Sequence, residues 1–363
     1  MITALALLGY AACAAWSVPA LLSPLTRRGV SVRAGLAAWL AAMASVLVSA
    51  AVAMEMSFRT VAADWPQLTQ DLCRSVAGSA CTPEVYGSVL YQAGVTVLAA
   101  SLALAGAVAA WRYARRVRRS RAQTRSHARA ALLVGRAIAA PASASVLGTT
   151  VAGIVGPFTA GSSAARADAG RNPAGARTVM LDDPRPAAYC VAGRPAAIVV
   201  TSGALAVLDP PQLAAVLAHE HAHLAHGHHI LATATRGLAA AFPCVPLFTR
   251  GAAEVARLTE MAADDSAART SGRPALVAAL IAIATGTVVP STLVSSEGPR
   301  GAAVPAGSVP AGVMAAAACA VPDRVERLLR PSARARSAAF AAAQLLALAV
   351  VAAPPALALL LTR

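Results

Sequence analysis

Four apolar runs limit what this chain can fold into: Met1–Leu22, Ala34–Met54, Tyr91–Trp111 and Ala338–Leu361. Each is about long enough to cross a hydrocarbon core of ~30 Å as a helix. Hydrophobic residues make up 57% of the sequence and charged residues only 13%. With a mean hydropathy of +0.61, this composition is far from that of an ordinary soluble domain. The first run lacks a basic stretch at its start, so it reads as a retained span rather than a secretory signal. The expectation is a mostly α, four-span helical membrane protein.

Arginine sets the expected orientation. Arg27, Arg28 and Arg33 follow the first run. Arg112, Arg115, Arg116, Arg118, Arg119, Arg121, Arg125 and Arg129 follow the third, and Arg324, Arg327, Arg330, Arg334 and Arg336 precede the fourth. Clusters of this kind stay on the cytoplasmic side. The loop over 55–90 and both termini are then external, and the long segment between spans three and four is cytoplasmic. A net charge of +15 also raises the question of nucleic acid. Because the charge sits beside spans, where it meets anionic lipid head groups, no nucleic-acid partner is expected. Every basic residue is Arg and none is Lys. With the high Ala content this points to a coding bias, so Arg-for-Lys carries little functional meaning.

Within that cytoplasmic segment, His219-Glu220-His221-Ala222-His223 reads as HExxH. Leu213, Val216 and Leu217 precede it with helical spacing. Two histidines four residues apart share one helix face and can reach a single zinc ion, with Glu220 beside them as general base. The chemistry this arrangement predicts is metal-assisted hydrolysis of an amide bond. The ion would activate water and polarise the carbonyl, and Glu220 would take a proton from the water and pass it to the leaving amine.

A second, acidic helix follows. Glu260 and Asp264 are four apart and share a face. Catalytic zinc usually takes three protein ligands. Glu260 is the sensible third, and Asp264 is placed to accept the free N–H of a ligand histidine. Glu254 is the weaker candidate, since Leu258 offers no such partner. The bland alternative is a solvated acidic helix with an ion pair to Arg257. The crowding histidines His221, His226, His228 and His229 are read as helix-end contacts. His219, His223 and His226 on one straight helix cannot close on one ion, because the outer two are ~10 Å apart along the axis.

Short strand-like runs lie before the motif at Thr178–Asp183, Ala187–Gly193 and Ala196–Gly203. A small sheet with an exposed edge can take an extended peptide as an added strand, and Ala188, Tyr189 and Cys190 are the candidate edge. Cys73 and Cys81 fall in the external loop, where a disulfide is plausible.

The order of these motifs resembles the integral-membrane gluzincin peptidases: Ile198–Gly203, Leu208–Leu213 leading into His219-Glu220-x-x-His223, then Gly227-His228 and Glu260-x-x-x-Asp264. Within them the sequence is most similar to the BlaR/MecR antibiotic-sensor peptidases, and the HtpX and prenyl-protease group shares the motif order. The resemblance covers roughly Thr178–Ala268 and extends to the four-span layout and to Asp323–Leu329. It implies zinc ligands His219, His223 and Glu260, Glu220 as general base, and a site facing the cytoplasm. Family sensors carry an external penicillin-binding domain after the last span. This chain ends at Arg363, so direct β-lactam sensing is not part of the expectation.

The resulting layout has spans over 1–22, 34–54, 91–111 and 338–361, and an external loop over 55–90. A basic cytoplasmic or membrane-surface segment covers 112–177. A zincin-like α+β metallopeptidase region covers 178–283, and a mobile loop with a basic pre-membrane helix covers 284–337. The expected function is a zinc metalloendopeptidase with one Zn2+ per chain. It would cleave a protein or peptide at the cytoplasmic side, such as a transcriptional repressor or membrane protein, in regulatory proteolysis. The alternatives are a non-catalytic, zinc-stabilised membrane receptor or scaffold, and a metal carrier. Glu220 discriminates, because a structural or transport site has no use for a general base directly after its first ligand.

Overall fold

The computed structural model describes residues 2–27, 31–76, 83–137, 176–193, 196–291 and 315–329. Three helices lead the chain: α1 (Ile2–Arg27), α2 (Val32–Val76) and α3 (Pro83–Val134). Among the described residues, Ile2–Arg27, Val32–Gln67 and Leu90–Val134 contain segments long and apolar enough to cross a membrane. The fourth expected span, 338–361, lies outside the described residues, as do the structure of 138–175 and the side chains of Cys73 and Cys81.

The expected loop over 55–90 needs correction. Helix α2 continues to Val76 and α3 begins at Pro83, so most of that interval is helical. Hydrophobicity falls after Met54, yet no glycine follows until Gly78, and Pro66 is accommodated inside the helix. A pair between Arg59 Nε and Glu55 Oε1 at 2.8 Å, one turn apart, supports the polar stretch. Loss of apolar character ends a span without ending a helix. Likewise α3 runs through the whole arginine cluster to Val134. At ~1.5 Å per residue, α2 and α3 are ~68 and ~78 Å long, well beyond the hydrocarbon thickness.

Two compact units emerge. The first contains α1, α2, the first part of α3 and residues 232–256. Here Trp39, Leu7 and Leu22 are buried, while Trp16, Phe58, Leu104 and Trp111 are exposed, as suits side chains facing lipid. Glu254 belongs to this unit: Thr26 Oγ1 donates to its Oε2 at 3.3 Å, and Arg27 pairs with its Oε1 at 3.4 Å.

The second unit holds a four-stranded sheet. Strands β1 (Arg136–Ala137), β2 (Arg177–Leu181), β3 (Ala188–Val191) and β4 (Ala197–Thr201) lie in the order β1-β2-β4-β3. β2 and β4 are parallel, and β3 runs antiparallel to β4 with Tyr189 opposite Val199. All of β4 is buried, because both faces of the sheet are covered. Val199, Val179 and Val191 pack with Ala128 and Ala131 of α3. On the other face Ile198 and Val200 pack with Leu213, Leu217 and Leu224. Successive side chains on a strand point to opposite faces, so a continuous Ala-Ile-Val-Val run is what a strand between two layers requires.

Four helices and a helical turn follow: α4 (Ser202–Val207), α5 (Pro210–Ala225), α6 (His228–Ala241), α7 (Pro246–Ser271) and α8 (Arg273–Thr285), and then α9 (Ala315–Leu329). Helix α5 starts where its sequence says it should. Asp209 accepts from Gln212 N at 2.9 Å, Gln212 accepts in return from Asp209 N at 3.2 Å, and Pro210 opens the first turn. The apolar stretch 274–283 lies within α8, with Leu276, Val277, Ala278 and Ala279 buried.

Candidate active site

Helix α5 carries the HExxH residues on a well-anchored stem. Its Leu213, Leu217 and Leu224 lie on the sheet, while Ala215 is buried with Ala267, Leu276, Val277 and Leu328. Two packed sides hold the helix in rotation and in height, which sets where His219 and His223 point. Helix α7 brings Glu260 and Asp264, one turn apart, to the same place.

The donor atoms converge. His219 Nε2 and His223 Nε2 are 3.1 Å apart. Glu260 Oε2 is 3.4 Å from His219 Nε2, and Glu260 Oε1 is 3.4 Å from His223 Nε2. A tetrahedral ion with bonds of ~2.0–2.1 Å would separate its donors by ~3.3–3.4 Å. The two imidazoles and one carboxylate therefore fit a zinc-like ion with three protein ligands, as a catalytic centre has. Calcium or magnesium would demand oxygen donors. Among the described residues this is the one His/Cys/Asp/Glu group close enough to hold a metal.

Both of these histidines are held from behind. His219 Nδ1 stands 3.1 Å from Asp264 Oδ1, and Asp264 is fully buried. His223 Nδ1 stands 3.1 Å from His228 Nδ1. The second contact was not foreseen, although Gly227 is its signal. Gly227 has φ +64, a conformation that favours glycine, and it ends α5 so that His228 turns back against His223. His226 caps the helix through Nδ1 to Ala222 O at 2.9 Å and stacks on His228. His228 is buried, whereas His226 and His229 are exposed.

The electrostatics follow from this packing. Burial opposes charge on His219, but Asp264 and Glu260 outweigh it and lift its pKa to about 9. Burial likewise opposes charge on Glu260, yet the two imidazoles hold its carboxyl well below the usual range. Burial pushes Glu220 up, against the pull of His219 and His223. A raised carboxyl beside the ligands suits a general base. His228 is pushed down to about 4 by burial and by the neighbouring His223 and His226, so it stays neutral.

The remaining expected residues are placed as follows. Ala188, Tyr189 and Cys190 lie on β3, which among the described residues is an edge of the sheet. The Cys190 thiol is raised by burial and by the nearby Glu220 carboxylate. Tyr189 Oη and His127 Nε2 of α3 are 3.1 Å apart. Arg257 NH1 reaches Met261 Sδ at 3.3 Å. Beside Glu260 stands Arg324, which was expected only as an orientation charge before the last span.

Comparison with known proteins adds to this geometry. Residues 160–332 match the model of peptidase family M48. Over 67 residues the chain is 40% identical to a protease HtpX homolog of Acidiphilium cryptum (strain JF-5), covering 18% of this chain and 23% of that protein. The chain thus spans about a quarter of the length of the curated relative it matches. No solved structure gives a significant match. These likenesses relate residues 160–332 to a peptidase family, within a chain whose helices are of membrane-spanning length. They leave the narrower BlaR/MecR likeness resting on motif order alone.

Proposed function

We propose that this protein is an integral-membrane zinc metalloendopeptidase that cleaves a protein substrate at the cytoplasmic side. The observation that carries the reading is the convergence of His219 Nε2, His223 Nε2 and the Glu260 carboxylate at 3.1–3.4 Å, with Glu220 one residue from the first ligand. A zinc ion held by these three residues would supply Lewis acidity to water and to the scissile carbonyl. Glu220 accepts the proton of the attacking water and returns it to the departing amine. Asp264 and His228 hold the imidazoles at their distal nitrogens. Strand β3 pairs with β4 on one side and would offer its other side, along Ala188, Tyr189 and Cys190, to an extended peptide, with Cys190 beside the general base. The arginine clusters support a cytoplasmic site. The motif order supports regulatory cleavage of a repressor or membrane protein.

Glu220→Gln tests this reading. It keeps the ligands and the shape but accepts no proton near neutral pH. Zinc content should match wild type, while peptide hydrolysis falls by ~10²–10⁴-fold. Equal hydrolysis in both proteins would remove Glu220 from the mechanism, and equal biological output with no substrate shortened would turn the reading to a zinc-stabilised scaffold.

A further inference from the structure

Helix α9 brings a guanidinium up behind the ligand cluster. Arg324 Nε donates to Asp264 Oδ2 at 2.9 Å, and its NH2 nitrogen donates to Oδ1 at 2.6 Å. Its remaining nitrogen, NH1, stands 3.6 Å from Glu260 Oε2. One planar group therefore spans two acidic residues that lie a turn apart on α7. The Arg324 side chain is only 13% exposed and Asp264 is 0% exposed.

We propose that Arg324 is a positioning residue of the metal site, acting through Asp264 on His219 and directly on Glu260. This rests on the metallopeptidase reading above. A two-pronged contact fixes the plane of a carboxylate as well as its position. The oxygen gripped at 2.6 Å, Asp264 Oδ1, is the same one that lies 3.1 Å from His219 Nδ1. Holding that oxygen keeps the proton of a neutral His219 on Nδ1 and leaves Nε2 free to face His223 and Glu260. Without the guanidinium, a fully buried carboxylate would lose its compensating charge and would no longer be held in plane. A lysine supplies one point of charge and no fork, so it would not span both acids.

The helix is built to present this side chain. Leu328 is buried among Ala267, Leu276 and Val277, with Val325 and Leu329 packed against the same cluster. Positions 325, 328 and 329 form one face at helical spacing, which leaves 324 and 327 to flank it. Arg327 makes a parallel fork, with NH2 at 2.7 Å from each carboxylate oxygen of Asp265. Asp265 is 38% exposed, and among the described residues it makes no contact with His219, His223 or Glu260. The two forks dock the same helices, yet only Arg324 leads to a ligand. Arg327 is therefore a comparator within the same molecule.

The test is zinc affinity of the full chain in detergent, measured by competition with a chromophoric chelator, together with the visible spectrum of the Co2+-loaded protein. Loss of such an outer partner typically weakens metal affinity by ~10–100-fold. Arg324→Lys should show that loss and an altered Co2+ spectrum, whereas Arg327→Lys should stay within about twofold of wild type. Wild-type affinity in Arg324→Lys, or an equal loss in Arg327→Lys, overturns the proposal. Should Arg324→Lys fail to fold, the decision passes to an Asp264→Asn background, where no buried carboxylate is left without its cation. There Asp264→Asn alone should weaken zinc, and adding Arg324→Lys should cost only its direct share on Glu260, less than the loss from Asp264→Asn itself. A full additional loss would mean that Arg324 does not act through Asp264. A wild-type chain that takes up no zinc would instead defeat the metallopeptidase reading itself.

Discussion

Proton and metal compete for His219, and the structure sets how steeply. Asp264 and Glu260 lift the His219 pKa to about 9, against ~6.5 for a histidine in an unfolded chain. A metal ligand must be deprotonated, so apparent affinity scales as 1/(1 + 10^(pKa − pH)) for one competing proton. With a pKa of about 9, that factor improves about 90-fold between pH 6 and pH 8. With the ordinary value it improves only about fourfold. The measurement is chelator competition across this range, with proton release counted by calorimetry in buffers of different ionisation enthalpy. A gain below about tenfold would refute the idea that the two carboxylates act on His219 as their distances suggest. Asp264→Asn should flatten the curve. Stability of the chelator-stripped protein should run the other way. A folded pKa above the unfolded one gives stability that is present below pH ~6.5 and lost as pH rises through about 9.

Removing His219, His223 or Glu260 one at a time by alanine should lower zinc content sharply; stoichiometric metal in all three variants would defeat the ligand assignment. Reporter fusions near residues 30, 125 and 330 should read cytoplasmic and those near 75 external, and the opposite pattern would overturn the arginine argument. Gly203→Ala should lower the melting temperature, because its new Cβ would meet the backbone of Pro184 and Arg185 while Gly203 N donates to Asp183 O at 2.9 Å. Overpacking of this kind costs ~1–3 kcal/mol, and an unchanged melting temperature would show that the turn yields.

Local signals carried much of this fold. The Asp209 and Gln212 box marks the first turn of α5, and Gly286, with φ +69, marks the end of α8. The strands at 177–181, 188–191 and 197–201 stand where short β-branched runs between turns suggested. The interval 55–90 was misjudged because hydropathy reports where lipid ends, whereas helix continuation depends on propensity and on stop residues. Alanine, glutamate, methionine and leucine continue a helix in water as readily as in lipid.

The site was legible wherever its partners lie on one helix face and hidden wherever they come from distant parts of the chain. His219 and His223, or Glu260 and Asp264, announce themselves by a spacing of four. His228 needed a turn at Gly227 that reverses the helix, a feature that periodicity alone does not register. Arg324 is sixty residues from Asp264, and before a hydrophobic run any arginine reads first as an orientation charge. The adjacent pair Asp264-Asp265 held the missing clue. Of two neighbouring aspartates on a packed helix, the one facing inward requires a cation, because an unpaired carboxylate is costly to bury. Arg324, spaced three from Arg327 on another helix, answers that requirement. The same charges that help orient the chain in a membrane can therefore also complete its site.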